Sequence, residues 1–479
     1  MKVLAVASEL YPLVKTGGLA DVAGALPLAL AAHGVGVVSL LPGYPAVKAA
    51  IGKGNRVAHF PSLLGVRADL IRARAGELDL LVLDAPELYD RPDGPYGDRA
   101  GADYPDNWRR FAAFSLAAAH VARGAVAGYL PDLVHAHDWQ AAMTLAYLRY
   151  GDAPAPPGIL TIHNLAFQGR FAASVFAELG LPARAWSLDG VEYYSGVGYL
   201  KAGLQAARAI TTVSPTYARE IRAAEFGMGL DGLLNARAGD LHGIVNGIDT
   251  GVWNPAADLA LADTFGPRTL HRRAANRRAL EERFALARDN APLFAVVSRL
   301  TWQKGMDVLA DSVDAIVAQG AKLAVLGSGD AAIEARLLAA AGRHAGRVGA
   351  IAGYDEGLSH LMQGGADAIL VPSRFEPCGL TQLCAMRYGC IPVVARTGGL
   401  ADTVVDANDA AVAAGVATGI LFSPLTRGEL LHAIGRATAL RAQPKTWAAM
   451  QRNAMKADVS WQASAARYAE LFRSLAARN

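Results

Sequence analysis

Thr16-Gly17-Gly18-Leu19-Ala20-Asp21 recurs letter for letter as Thr397-Gly398-Gly399-Leu400-Ala401-Asp402, and a basic residue precedes each copy, Lys15 in one and Arg396 in the other. An apolar run lies upstream of each, Lys2–Ser8 before the first and Ile391–Ala395 before the second. Each copy therefore reads as a strand, a flexible glycine pair and a helix start. Outward from these copies, short Val-, Ile- and Leu-rich runs end in turn residues and lead into longer helical patterns. In the first half they lie at Val35–Leu41, Leu78–Asp84, Leu133–His137, Ile159–His163 and Ile210–Val213. In the second half they lie at Leu293–Ser298, Lys322–Leu326, Val348–Ala352 and Ala368–Val371, with Leu309, Val313, Ile316 and Val317 at helical spacing between the first two. Parallel strands joined by crossover helices have this signature. The pattern predicts an α/β protein built from two open parallel sheets facing each other.

At 479 residues the chain exceeds the ~250–300 at which one core stops growing, which fits two domains. The turn-rich stretch HGIVNGIDTGVWNP around Gly243–Pro255 marks the boundary, giving expected domains 1–243 and 244–456. A C-terminal segment, 457–479, carries an amphipathic helix from Trp461 to Leu475 that can pack on either domain, the N-terminal one included. The charged stretch Arg268–Arg288 reads as a solvated helix.

Composition narrows the class. With 52% hydrophobic and 19% charged residues, wholesale disorder is excluded. Lys+Arg 46 against Asp+Glu 43 leaves +3, too little for a nucleic-acid or anionic-membrane footprint. The opening MKVLAVASELYP is interrupted by Ser8 and Glu9, short of the ~7–15 apolar residues of a signal peptide, and nowhere do ~18 apolar residues run uninterrupted. Cys378, Cys384 and Cys390 match no zinc spacing, and their odd number argues against a disulfide framework. A soluble protein of the reducing cytoplasm is expected.

Two motifs carry other readings. Gly227-x-Gly229-x-x-Gly232 has the spacing of a dinucleotide fingerprint but follows the helical-looking EIRAAEF, so its context fails. Gly327-x-Gly329-x-x-Ala332 follows the strand KLAVL, opens the helix IEARLLAA and has Asp355 after the next strand, which keeps an NAD or NADP enzyme as an alternative. His135, His137 and His163 at strand ends are conceivable metal ligands, but hydrogen-bonded histidines are the reading preferred here. No Asp-x-Asp occurs in the chain, so a diphosphate would have to be held by protein cations and backbone amides rather than a metal.

Four patches sit at predicted strand ends: Lys15-Thr16-Gly17-Gly18 with Asp21; His137-Asp138-Trp139 with His163-Asn164; Ser298-Arg299 through Lys304-Gly305; and Ser373-Arg374-Phe375-Glu376-Pro377-Cys378-Gly379-Leu380-Thr381. Alone, a surface Arg is usually solvated and a Gly-Gly usually a turn. Together, beyond the carboxyl ends of strands, they form a ligand site: glycines admit a phosphate close to the backbone, and Arg299 and Lys304 supply positive charge.

KTGGLADV, HAHDW, TIHN, SRLTWQKG, SRFEPCGLTQL and RTGGLADTV, in this order and along essentially the whole chain, resemble the bacterial glycogen synthase and plant starch synthase family, glycosyltransferase family 5. The resemblance implies the GT-B fold, with two Rossmann-like domains facing a deep interdomain cleft. It implies retaining transfer of glucose from ADP-glucose to the non-reducing end of an α-1,4-glucan such as glycogen, without a cofactor. It places Lys15, Gly17, Gly18 and Asp21 at the distal phosphate and glucose, and Arg299 and Lys304 at the diphosphate leaving group. Glu376 and the backbone of Cys378, Gly379 and Leu380 are implied at the glucose hydroxyls, with Thr381 at a phosphate. His163 and Asn246 are implied at the 6-hydroxyl, the His163 carbonyl near the anomeric carbon, Tyr354 on the adenine, and Asp138, Trp139 and Tyr96 on the acceptor side. The second carboxylate of the Glu-x₇-Glu pair of many retaining relatives is replaced by Cys384.

Retention can arise from double displacement through Asp138, Asp21 or Glu376, or from front-face attack in which the departing phosphate takes the acceptor proton; the abundance of phosphate clamps favours the second. A non-catalytic glucan-binding protein would not need those clamps, and a glucan phosphorylase would need a lysine bound to pyridoxal phosphate.

Overall fold

Alternation of short apolar strands with helices yields two separate parallel sheets in the computed structural model, which describes residues 1–99 and 101–477. They belong to two compact units, one made of Met1–Asn246 and the chain from Trp461 onward, the other of Gly247–Ser460.

The strands of the first unit, in chain order, are β1 (Lys2–Val6), β2 (Gly36–Pro42), β3 (Asn55–Leu63), β4 (Val66–Ala75), β5 (Leu78–Asp84), β6 (Leu133–His137), β7 (Gly158–Ile162), β8 (Arg170–Ala172), β9 (Glu192–Tyr193), β10 (Gly196–Gly198), β11 (Ala209–Thr212) and β12 (Leu241–Gly243). The main sheet runs β12-β11-β7-β6-β1-β2-β5-β4-β3, parallel except for β5-β4-β3. The order reverses between β1 and β6, the kind of switch point at which open α/β sheets bind ligands. β8, β10 and β9 form a small antiparallel sheet beside it. β3 and β4 were not anticipated: β4, VRADLIRARA, alternates apolar with charged residues, so no apolar run marks it, and its turn uses left-handed Leu64 and Gly65. The C-terminal helix Gln462–Ala476 lies on this unit, burying Ala465, Tyr468, Ala469, Phe472 and Leu475 against Val3, Val22, Leu26, Leu30, Leu133 and Ile159.

The second unit has β13 (Leu293–Val297), β14 (Lys322–Gly327), β15 (Val348–Ala352), β16 (Ala368–Val371), β17 (Ile391–Ala395) and β18 (Ile420–Phe422), all parallel, in the order β15-β14-β13-β16-β17-β18. This is the doubly wound order with its switch point between β13 and β16.

The charged stretch Arg268–Arg288 needs correction. Its helix, Arg273–Arg283, buries Arg273, Asn276, Leu280 and Glu281. The Arg273 guanidinium donates to the carbonyls of Tyr388 and Ala366, while Glu281 accepts from Arg277 at 2.9 Å and from fully buried Lys322 at 2.7 Å. Arg273 and Glu281 enter the interior because each has a partner there, while Arg278, Glu282 and Arg283 stay exposed on the other face. No helix among the described residues is long and apolar enough to cross a membrane.

Candidate active site

In the second unit, β13 runs into the loop Ser298–Gly305 and the helix Met306–Ala318, while β16 runs into the loop Pro372–Leu380 and the helix Thr381–Arg387. The two loops leave adjacent strands at the switch point. Lys304 Nζ donates to Glu376 Oε1 at 2.8 Å and Oε2 at 2.6 Å, and Ser373 Oγ donates to Oε2 at 2.7 Å. The Glu376 side chain is 8% exposed and that of Lys304 17%, so this charge pair is largely desolvated and depends on its full set of partners. Arg374 locks the loops together: it grips Asp307 with two bonds of 2.6 and 2.7 Å, donates to Trp302 O at 2.6 Å and stacks over the Trp302 ring at 4.3 Å. The same guanidinium holds Asp307 below the usual carboxylate range. Gly305, at φ +68°, lies where a Cβ would be 1.9 Å from Pro372 O, so only glycine permits this approach.

Behind Glu376 stands the second glycine pair. Gly399 N donates to Glu376 O and Pro377 O, both at 3.1 Å, and Gln382 Nε2 donates to Cys378 O at 3.1 Å and Gly379 O at 2.9 Å. Leu380 and Thr381 are half-buried at the start of a helix that no side chain caps. Arg299 is exposed, and its guanidinium has no ion pair or hydrogen bond among the described residues. Tyr354 follows β15 and is 68% exposed, its hydroxyl donating to Glu356 at 3.2 Å. Cys384 is buried in the apolar core with Leu383, Met386 and Leu400.

The nicotinamide alternative fails on geometry. Cβ atoms on Gly327 and Gly329 would lie 1.9 Å from Ser298 O and 2.6 Å from Leu300 O, so these glycines admit the neighbouring loop. The Asp330 carboxylate caps the following helix through Ala332 N at 2.9 Å and Ile333 N at 3.2 Å, placing negative charge where a pyrophosphate would have to sit.

In the first unit the loop after β1 is organised by Glu9, which sequence reasoning missed. Its buried carboxylate accepts from Thr16 N and Oγ1, from Gly17 N at 3.2 Å, and from the Tyr96 hydroxyl, which is also 2.7 Å from Ser8 Oγ. The signal was present, an acidic residue directly after a buried strand, but one carboxylate without a motif attracts no attention. Lys15 Nζ pairs with Asp21 at 2.7 Å, both partly exposed. Burial together with Glu9 pushes the Tyr96 phenol well above its ordinary pKa. Tyr96 is thus a strut of this loop.

After β6 and β7, His137 Nδ1 lies 2.9 Å from His163 Nε2, and His135 Nε2 lies 2.6 Å from Thr161 Oγ1. Burial drives His137 down to about 3 and His135 and His163 well below the ordinary value, so all three are neutral. No group of three His, Cys, Asp or Glu suited to a metal occurs among the described residues. Asp138, at φ +54°, accepts from His163 N at 2.7 Å and from Asn164 N; burial, the larger effect, raises it to about 7. Asn246 is buried, and its Oδ1 has no hydrogen-bond partner among the described residues. Trp139, expected on the acceptor side, is 9% exposed and packed among Phe111, Phe171 and Tyr199.

Residues 2–236 match the family described as the starch synthase catalytic domain, and 278–456 match glycosyl transferases group 1. A glycogen synthase of Mesorhizobium japonicum is 63% identical over 475 residues, 99% of both chains. The chain belongs to the glycogen synthase and starch synthase family. Among other members, a glycogen synthase of Novosphingobium aromaticivorans is 60% identical over 482 residues, covering 100% of this chain and 99% of its own. The catalytic domain of Arabidopsis thaliana starch synthase IV, solved with ADP and acarbose, superposes with a TM-score of 0.88 at 30% identity over 99% of both chains. A sucrose-phosphate synthase of Thermosynechococcus elongatus, at 19% identity and TM-score 0.61 over 100% of both chains, shares the fold. This family member is a glycosyltransferase of GT-B fold.

Of its expected site residues, the fold joins Lys304 to Glu376, His163 to Asp138, and Lys15 to Asp21. The expected pair of open amides is halved, since Gly17 N already serves Glu9.

Proposed function

We propose that this protein transfers glucose with retention from ADP-glucose to the non-reducing end of an α-1,4-glucan, glycogen or a maltooligosaccharide, releasing ADP, in the cytoplasm and without metal or cofactor. The observation that carries this reading is the Lys304–Glu376–Ser373 cluster at the switch point of the second sheet, with Arg299 on the same loop as Lys304 and its guanidinium unpaired among the described residues. A diphosphate leaving group needs fixed positive charge most as it departs, and Arg299 and Lys304 supply it. Glu376 offers carboxylate oxygens to the glucose hydroxyls, with the backbone of Cys378, Gly379 and Leu380 beside it and Thr381 for a phosphate. Tyr354 is an exposed ring suited to adenine. Lys15 with Asp21 and the amide of Gly18 take the distal phosphate and sugar, and Asn246, with its unpartnered buried oxygen, takes the 6-hydroxyl.

Asp138 acts through the backbone. It accepts from Asn164 N, and because a trans peptide points its N–H and C=O in opposite directions, this bond aims the His163 carbonyl away from Asp138. That carbonyl can then face the developing positive charge at the anomeric carbon. The carboxylates near the motifs all have partners: Asp138 has backbone amides, Asp21 has Lys15, Glu376 has Lys304, and Glu9 has Thr16, Gly17 and Tyr96. None is poised as a nucleophile, which supports front-face attack with the departing phosphate taking the acceptor proton.

Incubation with glycogen and either ADP-glucose or UDP-glucose, followed by nucleotide release and the anomeric proton coupling of the product, tests the reading. ADP release with an α-linked product is expected. Glycogen binding with no transfer from either donor would leave a glucan-binding protein instead.

A further inference from the structure

The sequence motif Gly227-x-Gly229 found no use as a nucleotide fingerprint, and in the structure it meets a pair of tyrosines. Tyr193 and Tyr194, at the end of β9, stack edge to face with ring centroids 4.7 Å apart, and Tyr194 is 62% exposed. The Tyr193 hydroxyl donates to Met228 O at 3.4 Å, and a Cβ on Gly229 would lie 2.9 Å from that hydroxyl and 3.3 Å from the Tyr194 ring. Arg170 secures the other side, donating to Tyr194 O at 2.6 Å with its guanidinium 5.9 Å from the ring centre.

The backbone here is strained. Six non-glycine residues among those described have positive φ, and three of them, Tyr194, Ser195 and Met228, fall in this one patch. Such strain persists only where surrounding contacts enforce it, and it concentrates at functional sites. Its effect is to hold a large ring out in water.

The patch is also continuous with the candidate site along the chain. The loop from His163 and Asn164 carries Phe167, 51% exposed, and then Gln168, whose side-chain amide donates to Met228 O at 3.1 Å. We propose that Tyr194, Tyr193, Phe167 and Met228 form a glucan-holding subsite that stacks on glucose units of an α-1,4-glucan away from the reacting end. The choice of ligand rests on the proposed function. Pyranose rings present apolar C–H faces and a rim of hydroxyls, and exposed aromatic rings edged by Arg170 and Ser195 match both. A neutral chain also requires no counter-charge.

Affinity electrophoresis of the full chain in native gels containing glycogen, with no sugar nucleotide present, tests the subsite independently of transfer. Tyr194→Asn removes the ring while keeping a residue that tolerates left-handed φ, and Phe167→Ala removes the neighbouring ring without a hydrogen-bond loss; Leu259→Ala, a fully exposed apolar residue of the other unit, is the control. Each ring variant should weaken the apparent affinity for glycogen about fivefold, with the ADP-induced rise in Tm retained as evidence of folding and the control unchanged. Wild-type retardation in both ring variants, or a wild-type protein that transfers glucose but is not retarded, would overturn the subsite and leave the proposed function standing. Retardation lost in the ring variants of a protein that transfers no glucose would support the subsite and sink the proposed function. Sedimentation showing that the rings hold two copies together, with glycogen affinity unaffected, would also overturn it.

Discussion

The two Thr-Gly-Gly-Leu-Ala-Asp copies are identical in sequence and opposite in use. The first follows β1, at the switch point of its sheet, and opens a 14-residue helix; a Cβ on Gly17 would meet nothing within 4 Å. The second follows β17, one strand away from the switch point of its sheet, and opens a helix of six residues. There a Cβ on Gly398, at φ +43°, would lie 1.9 Å from Glu376 O, and one on Gly399 would lie 2.3 Å from Cys378 O. Both copies serve a glutamate, but the first gives its amides to the Glu9 side chain, whereas the second gives Gly399 N to the Glu376 backbone. At the reversal of strand order the space beside Gly17 is clear; one strand further out Gly398 and Gly399 are packed against the backbone of the Glu376 loop and brace it.

The largest effect should fall on what the second copy braces. Lys304→Ala is expected to lower kcat/KM by about 10²-fold or more, because buried Glu376 is left unpaired and, on the proposed function, a charge that stabilises the departing diphosphate is lost. Near wild-type turnover with ADP-glucose would end the charge-neutralisation argument.

Exchange of alanine into the two copies sharpens the contrast. Gly398→Ala should cost about tenfold in kcat/KM and lower Tm by about 5 °C, since the new Cβ must displace the Glu376 backbone. Gly17→Ala should leave Tm unchanged and instead raise KM for ADP-glucose several-fold. Equal Tm losses in both would erase the distinction between open pair and brace.

Acid should separate the two units. His135, His137 and His163 are held neutral in the folded first unit, so on unfolding they take up protons below about pH 6.5. Their contribution to stability is present above that pH and is lost as pH falls toward the folded-state value of about 3 for His137. Asp138, raised to about 7, works the other way, but it is one group against three. Hydrogen exchange at pH 7.5 and pH 5 should show protection falling more in β6 and β7 than in β13 and β16. Uniform loss across both units would contradict this assignment.

The smallest effect is expected at Cys384, which occupies the second-carboxylate position counted from Glu376 yet sits in apolar core. Cys384→Ala should change kcat by less than about threefold, because the side chain sits among Leu383, Met386 and Leu400 and the substitution removes one buried sulfur from that core. A loss of orders of magnitude in a folded variant would place its sulfur in the chemistry.

Much of this was legible because apolar runs and turn residues report parallel strands directly. Eleven predicted runs lie on β1, β2, β5, β6, β7, β11 and β13 to β17, with ends shifted by no more than two residues. The motif patches were legible for the same reason: they are strand-end loops. The β3–β4 hairpin was hidden by the arginines and aspartate alternating along β4, and β18 by its three-residue length. Glu9 was hidden because its partners, Thr16 and Tyr96, are distributed along the chain.

The sequence by itself determined the repeated strand–glycine–helix unit, the two sheets and the chemistry carried at their strand ends, since these depend on local periodicity and residue type. Tertiary structure alone decided that the space beside Gly17 is clear while Gly398 and Gly399 are packed tight, that the Trp139 ring packs in the core, that Arg273 and Lys322 are buried, and that the C-terminal helix returns to the first unit. Each of these is settled by what lies opposite a residue after folding. A Cβ clash, a ring's packing partners or a carbonyl waiting for a guanidinium come from positions distant in the chain, and no local pattern records them.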